Sequence, residues 1–554
     1  MSEEQGSESA VSGSQFIKEE EVAEEKEAPK KVSRREFVKG AAAVAGAGAL
    51  ASCAPAATPT TAPGETAAPA PTCPPAAECA PCPTPWLPEK WDKEADVVVV
   101  GFGGAGGSAA IAAHDAGAEV LVLEKMPVPG GQTVVSGGVV YGCNTSVQEA
   151  NGVTDSAAEM YEYYMAVGEG ELDPARMRMV SEKSGETIEW LIGLGVEFPT
   201  LYLSGAEASF ADLTPPKPRG HSAGGAALFG TLGDEVEARG IEVLVETPAT
   251  KLIADPRRQV LGVVADSAEK ELNIKARKGV ILASGSFGSN QEMIKLYGPD
   301  LRGAVSYAVP GLTGDGILMA EALGANLDNI GHAFRVQPVI KTSPGFGGMI
   351  LPLFEHTCVL VNEAGKRFVD EGIFYEYLTK ALLEQEGRHA YAIFDEDVKK
   401  LGGTAVGYFL SKDLSSEIEA GSIKKADTIS ELAALVGLDP ATLEETVNKV
   451  NQYAAQGTDP EFGRETGLGA VQTPPFYCIE ALPGVGVTAG GLKTTVDAKV
   501  TDVFGEVIPR LYGAGDTIGG WCFEMYPGSG TAILNGILFG RLAGENAAAQ
   551  EPWE

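Results

Sequence analysis

A chain of 554 residues with 44% hydrophobic side chains carries enough apolar material for one large core or two, and such a length suits roughly two to four folding units. Its 76 acidic against 42 basic residues leave a formal net charge of -34, which repels nucleic acid and anionic lipid and so excludes an electrostatic grip on either. What remains is an enzyme-sized globular protein.

The first residues stand apart from the rest. Glu19 to Glu27 form an acidic run without aromatics, which reads as a disordered tail. Ser33-Arg34-Arg35-Glu36-Phe37-Val38-Lys39 follows, then an Ala/Gly run from Gly40 to Ala49 and Leu50-Ala51-Ser52-Cys53. This segment resembles a twin-arginine export signal with a lipoprotein cleavage box. The apolar run is too short and too rich in glycine to span a bilayer. The resemblance implies a protein that folds around its cofactor before crossing the membrane and is held outside by lipid on Cys53. Residues 1–53 are therefore read as tail plus signal, and 54–91 as a Pro/Ala/Thr tether that cannot build a core. Cys73, Cys79 and Cys82 lie in that tether. Three thiols without a fourth ligand at the usual spacing leave a cluster, a disulfide and free thiols all open, and no CxxCH haem signature occurs. Cys143, Cys358, Cys478 and Cys522 look isolated. No metal site is expected.

From Asp96 the texture changes. Four valines, Val97 to Val100, lead into Gly101-Phe102-Gly103-Gly104-Ala105-Gly106, an Ala-rich helix, and a second apolar strand, Val120 to Leu123, ending on Glu124. This is a dinucleotide cradle in full context: Gly101 permits a tight turn, Gly103 lets backbone N–H groups approach a pyrophosphate, and Gly106 allows close helix–strand packing. Glu124 is placed to accept from a ribose hydroxyl. A helical stretch spans about Ser156 to Leu194. The chain returns near Ile241 with a strand through Val243 and Val245 and an exit loop Thr247-Pro248-Ala249. Gly279 to Ala283 is a further strand ending in Ser284-Gly285-Ser286, either a second cofactor junction or a plain turn.

Gly331 to Pro483 reads as an insertion, with strand-like pieces (Cys358 to Val361, Ala390 to Phe394) and helical ones (Leu432 to Leu438, Pro440 to Gln456). Gly490 to Thr494 suits a polar hairpin, Leu511 to Asp516 a strand with an acidic end, and Thr531 to Gln550 a closing helix whose glycines suit close approach to a cofactor. The division is 92–331 and 485–554 for the nucleotide-binding domain and 332–484 for a capping, substrate domain. The fold class is α/β.

With these residues in hand, the chain from Trp91 onward resembles the flavoprotein subunit of soluble fumarate reductases and their relatives among ketosteroid dehydrogenases. The resemblance runs through Gly101 to Gly106, Gly130-Gly131, Ser136-Gly137-Gly138, Ile281 to Gly285, Gly314-Asp315-Gly316, Gly365-Lys366-Arg367-Phe368-Val369-Asp370-Glu371 and Leu511 to Asp516. It implies FAD and a Rossmann-like domain of the glutathione-reductase type with an inserted α+β cap. By the same resemblance the cofactor would be held by Gly101, Gly103, Gly104, Ala105, Gly106, Glu124, Lys125, Gly131, Gln132, Ser136, Gly137, Gly138, Ala249, Ser284, Gly285, Asp315, Gly515, Asp516, Thr531, Ala532 and Leu534.

The family's fumarate site needs cations for two carboxylates and an arginine that donates the proton. Here Tyr375 stands at that arginine, Gln337 at one substrate histidine, Gly486 or Val487 at the other, and Tyr526 at or near the last arginine. Four such departures disfavour a dianionic substrate, since buried carboxylates need compensating partners. Tyr526-Pro527-Gly528-Ser529-Gly530 instead resembles the ketosteroid dehydrogenase loop, in which a tyrosine hydroxyl and a glycine N–H, here Gly530, polarise a ketone. Ser529 departs from that pattern, which usually has proline. Tyr375 falls at the proton-transferring tyrosine, and Tyr202 is a candidate for a third. Trp521, Phe523 and Met525 are candidates for an apolar pocket, and Arg335 and His332 lie nearby.

The expected enzyme is an exported FAD-dependent oxidoreductase acting on a C=C or CH–CH bond conjugated to a carbonyl in a small apolar substrate, its electrons passing through a separate carrier such as a cytochrome or a quinone-linked protein. One alternative is a reductase of an acrylate-type monocarboxylate, of the urocanate or cinnamate class, anchored by Arg335. Another is a flavoprotein that only carries electrons.

Overall fold

The computed structural model describes residues 87–203, 206, 210–212, 214–268, 270–331, 334–343, 346–408 and 410–553. The acidic tail, the twin-arginine segment, Cys53, Cys73, Cys79, Cys82 and His332 lie outside the described residues.

In chain order, the elements that place the site are β1 (Lys93–Val100), α1 (Gly104–Asp115), β2 (Val120–Leu123), α2 (Ala157–Val167), α3 (Pro174–Gly193), α4 (Gly225–Ala238), β3 (Glu242–Leu244), β4 (Ala249–Ala254), β5 (Val260–Asp266) and β6 (Glu271–Leu282). They continue with β7 (Phe334–Ser343), β8 (Phe346–Met349), β9 (Val359–Val361), α5 (Tyr375–Leu383), β10 (Ala390–Asp395), α6 (Ile429–Val436), α7 (Pro440–Gln456), β11 (Phe476–Thr488), β12 (Lys499–Thr501), β13 (Val507–Gly513) and α8 (Thr531–Ala548).

The first sheet runs β12-β13-β6-β1-β2-β3. Its inner pairs are parallel, with Val97 opposite both Val120 of β2 and Gly279 of β6. A strand covered on both faces reads as an unbroken apolar run, and Val97 to Val99 are fully buried. β6 is longer than its apolar core predicts. Its first half, Glu271 to Lys275, pairs antiparallel with β5, and its side chains alternate, Leu272 and Ile274 buried and the polar residues between them turned outward. Ala249 is the first residue of β4 rather than part of an exit loop.

α8 packs along α1. A Cβ on Gly540 would stand 2.4 Å from the Ala105 carbonyl oxygen, and one on Gly544 would stand 2.4 Å from that of Ala109. These glycines thus serve helix–helix approach, and Gly536 alone of the three lines a cavity beside the glycine turn. Gly490 to Thr494 is not a self-contained hairpin, because Gly491–Leu492 pairs instead with Leu327–Asp328.

The second sheet, β8-β7-β11-β10-β9, hangs on the 13-residue β11. Phe476 to Ala481 pairs with β10, and Leu482 to Thr488 pairs with β7. Two apolar clusters drawn from residues 340–481 cover it. α7 matches its expected span: Asp439 caps its start, accepting from the Thr442 N–H, and Gly457 ends it in the left-handed region. α6 begins three residues earlier than its apolar run, on a Thr428–Glu431 capping box. A third sheet joins Val139–Tyr141, Gly220–Ser222 and Thr200–Tyr202.

Candidate active site

A cavity of about 570 Å³ opens at the carboxyl ends of β1, β6 and β13 and runs to the inner face of the second sheet. Ligands of doubly wound sheets bind at such strand ends. Gly101 ends β1 at φ +101°, and a Cβ there would stand 2.4 Å from the Ala283 carbonyl oxygen, so only glycine lets the two strand ends converge. A Cβ on Gly106 would stand 1.9 Å from the Gly101 oxygen. Gly106 therefore sets helix–strand packing and does not line the cavity.

Glu124 follows β2. Its two oxygens accept from the N–H groups of Phe102 at 2.8 Å and Met126 at 2.7 Å, which fixes the glycine turn against the second strand. Lys125 bridges to Asp315 at 2.8 Å and also meets Thr313. The cavity wall brings together Gly101, Gly103, Gly104, Ala105, Glu124, Lys125, Gly131, Gln132, Ser136, Gly137, Gly138, Ala249, Ser284, Gly285, Asp315, Gly515, Asp516 and Ala532. Thr531 and Leu534 do not reach it; both are buried in the core as α8 turns inward.

The reacting end is built from four elements. β7 contributes Arg335 and Gln337, β11 contributes Val487, α5 contributes Tyr375, and the loop before α8 contributes Tyr526, Ser529 and Gly530. Arg335 organises them. Its Nη2 donates to the Tyr375 hydroxyl oxygen, its Nε donates to Glu376 at 3.1 Å, and its guanidinium lies 3.2 Å from the centre of the Tyr526 ring. The backbone N–H of Tyr526 donates to the other Glu376 oxygen at 2.9 Å. Tyr526 Oη accepts from the N–H groups of Gly530 and Ala532, both at 3.2 Å. The Gly530 N–H is thus turned to the Tyr526 hydroxyl, where the sequence suggested two donors side by side on one ketone.

Burial raises both phenols above the ordinary tyrosine range, although Arg335 pulls the other way. Arg335 itself stays protonated: burial disfavours its charge, but the Glu376 carboxylate beside it and the accepting oxygen of Tyr375 favour it. Burial also raises Glu376. Asp516 is pushed up to about 7 by burial.

Tyr202 lines the same cavity. Trp521, Phe523 and Met525 do not. Trp521 and Met525 are buried in the core and Phe523 packs against it, and Trp521 lies edge-on to Tyr526. Tyr307, Met349, Tyr408 and Glu376 were not singled out from sequence. The Tyr307 hydroxyl donates to the Arg335 carbonyl at 3.1 Å, and Glu376 adjoins Tyr375 in the chain. Adjacency to a candidate tyrosine was the one available signal, and it is weak without the arginine it meets.

The family model described as an FAD binding domain matches residues 96–533. The chain belongs to this family. The FAD-binding protein is 35% identical to a fumarate reductase (cytochrome) of Shewanella frigidimarina, over 82% of this chain and 77% of that protein. It is 34% identical to the urocanate reductase of Eggerthella lenta, over 84% of this chain and 76% of that one. Among solved structures, a 3-ketosteroid-delta4-(5alpha)-dehydrogenase from Rhodococcus jostii RHA1 superposes with a TM-score of 0.67 at 32% identity, covering 83% of this chain and 98% of that one. The protein is an FAD-dependent oxidoreductase acting on CH–CH groups. Its cavity fits the cofactor: the glycine turn leaves no room for a Cβ at Gly101, and buried polar atoms, Asp516 Oδ1 and Gln337 Nε2, lack a partner among the described residues.

Proposed function

We propose that the substrate is a small, neutral, apolar molecule of the ketosteroid or enone class, in which the C=C or CH–CH bond is conjugated to a carbonyl. The observation that carries this reading is the state of Arg335, whose charge is taken up by Glu376 and whose face is covered by Tyr526. The reacting end presents phenols in place of an uncompensated cation. A dicarboxylate buried there would lose hydration without matching pairs, at a cost of several kcal/mol. The Rhodococcus dehydrogenase, crystallised with 4-androstene-3,17-dione, supports the same class.

FAD, when bound, supplies hydride exchange with the carbon beta to the carbonyl. The chain supplies the rest. Tyr526 donates its O–H to the carbonyl oxygen while the N–H groups of Gly530 and Ala532, at the start of α8, hold its own oxygen and strengthen it as a donor. Tyr375, held by Arg335, transfers the proton at the alpha carbon. Both phenols remain protonated at neutral pH because burial raises them. Tyr307 and Val487 close the wall and limit water.

The domain division 92–331, 332–484 and 485–554 belongs to this proposal and is supported by the separate apolar clusters within residues 340–481. So does a separate electron carrier, supported by the cytochrome in the Shewanella relative's name. Placement outside the cytoplasmic membrane, through Cys53, rests on the export pattern alone.

One observation favours a second reading, a monocarboxylate of the acrylate type: Arg335 does line the cavity. An anaerobic experiment separates the two. The dithionite-reduced protein is mixed in turn with a steroid enone, fumarate and cinnamate, and flavin reoxidation is followed. The enone alone is expected to reoxidise it, and Tyr526→Phe should slow that step by roughly 3 kcal/mol of barrier, about a hundredfold. Tyr375→Phe should slow it too. Faster reoxidation by cinnamate would sink the enone reading.

A further inference from the structure

We infer that Glu376 determines the charge class of the substrate, admitting a neutral carbonyl compound and rejecting a carboxylate. The inference rests on the reading just given and goes one residue deeper, to a side chain that does not itself line the cavity.

Glu376 is the second residue of α5 and its side chain is only 2% exposed. One oxygen accepts from Arg335 Nε at 3.1 Å and the other from the Tyr526 N–H at 2.9 Å. Burial works against its charge, but the Arg335 guanidinium and the Tyr526 N–H, one on each oxygen, both favour the carboxylate form. It therefore does three things from one position. It pairs with the charge of Arg335, the one arginine on the cavity wall among the described residues, it holds the main chain of Tyr526, and it sits in the first turn of the helix that begins at Tyr375.

An anion entering the cavity meets an arginine that is already paired, with a carboxylate directly behind it. Between unit charges a few ångström apart in such a setting, the balance of attraction and repulsion is worth roughly tenfold to a hundredfold in affinity. A neutral carbonyl does not feel this balance, because it needs only the Tyr526 hydroxyl. Glu376 is thus a positioning and specificity residue and not a catalytic one.

Glu376→Gln keeps the shape and an acceptor oxygen but removes the charge, leaving Arg335 uncompensated beside the cavity. Binding to the FAD-loaded full chain is read from the flavin absorbance during titration with 4-androstene-3,17-dione, cinnamate and cinnamamide, the uncharged isostere of cinnamate. In Glu376→Gln, cinnamate is expected to bind at least about tenfold tighter than in the unmodified enzyme, with the steroid little changed, and adding Arg335→Met should erase the gain. Glu376→Asp, which keeps the charge, should restore the original preference.

The unmodified enzyme gives a test that needs no variant: cinnamamide should bind at least about tenfold tighter than cinnamate. Equal binding of that pair, or no gain for cinnamate in a Glu376→Gln protein that still holds flavin and steroid, overturns the role of Glu376 and leaves the enone reading standing. If the unmodified enzyme binds cinnamate and not the steroid, the enone reading itself fails, and this inference fails with it.

Discussion

At the residue scale, the site depends on what burial does to single titratable groups. Asp516, at the end of β13, carries a carboxyl raised from 3.8 to about 7, with burial outweighing the opposing pull of Arg335. The sign follows from linkage. The folded state keeps the proton that the unfolded chain loses near pH 4, so stability falls as pH rises from about 4 to about 7 and stays lowered above. Asp516→Asn removes this slope. Denaturant unfolding of the cofactor-free protein across that window should show the unmodified chain losing stability relative to Asp516→Asn, and parallel curves would contradict it. Arg335 keeps its charge in the same wall because the Glu376 carboxylate pairs with it and the Tyr375 hydroxyl oxygen accepts from it.

At the scale of elements, the closest constraint is the contact of α8 with α1. Both helices are rich in alanine and glycine, so their backbones approach until carbonyl oxygens of α1 occupy the space a side chain would need. α1 begins at the glycine turn, and α8 begins at the N–H groups that hold the Tyr526 hydroxyl, so this contact ties the cofactor cradle to Tyr526. Gly540→Val is expected to push the helices apart, destabilise the protein by about 1–3 kcal/mol as overpacking does, and weaken flavin retention. Thermal unfolding and the flavin released on gel filtration measure both. Gly230→Ala on α4, where a Cβ meets nothing within 4 Å, is the matched control.

At the scale of the whole molecule, two sheets meet the cavity from different sides. β1, β6 and β13 bring backbone turns and glycine, while β7, β11 and α5 bring the polar side chains of the reacting end. No described helix is long and apolar enough to cross a membrane. The proposed lipid anchor at Cys53 carries a prediction of its own. If that reading holds, Cys53→Ala should move the folded, flavin-loaded protein from the membrane fraction to a soluble one, and Arg34→Lys with Arg35→Lys should stop export with flavin still bound. An unchanged distribution in both variants would remove the anchor from the account.

The nucleotide cradle was legible in the chain because its determinants are local. Four valines, the Gly101 to Gly106 turn and Glu124 sit within one strand–helix–strand unit, and backbone sterics alone dictate glycine at Gly101 and Gly106. α7 was legible for the same reason, with its cap at Asp439 and its stop at Gly457. Tyr375 and Tyr526 were found through a resemblance that places residue types, but not their partners. What only the tertiary structure decided was the pairing: Arg335 with Glu376, 41 residues apart, and Glu376 with Tyr526, 150 apart. It also turned Trp521 and Met525 into core and put Gly530 behind Tyr526 instead of beside it. Charge compensation and burial belong to pairs of groups brought together by folding, so a linear sequence can name Arg335, Tyr375 and Tyr526 without naming Glu376 or saying which charges cancel.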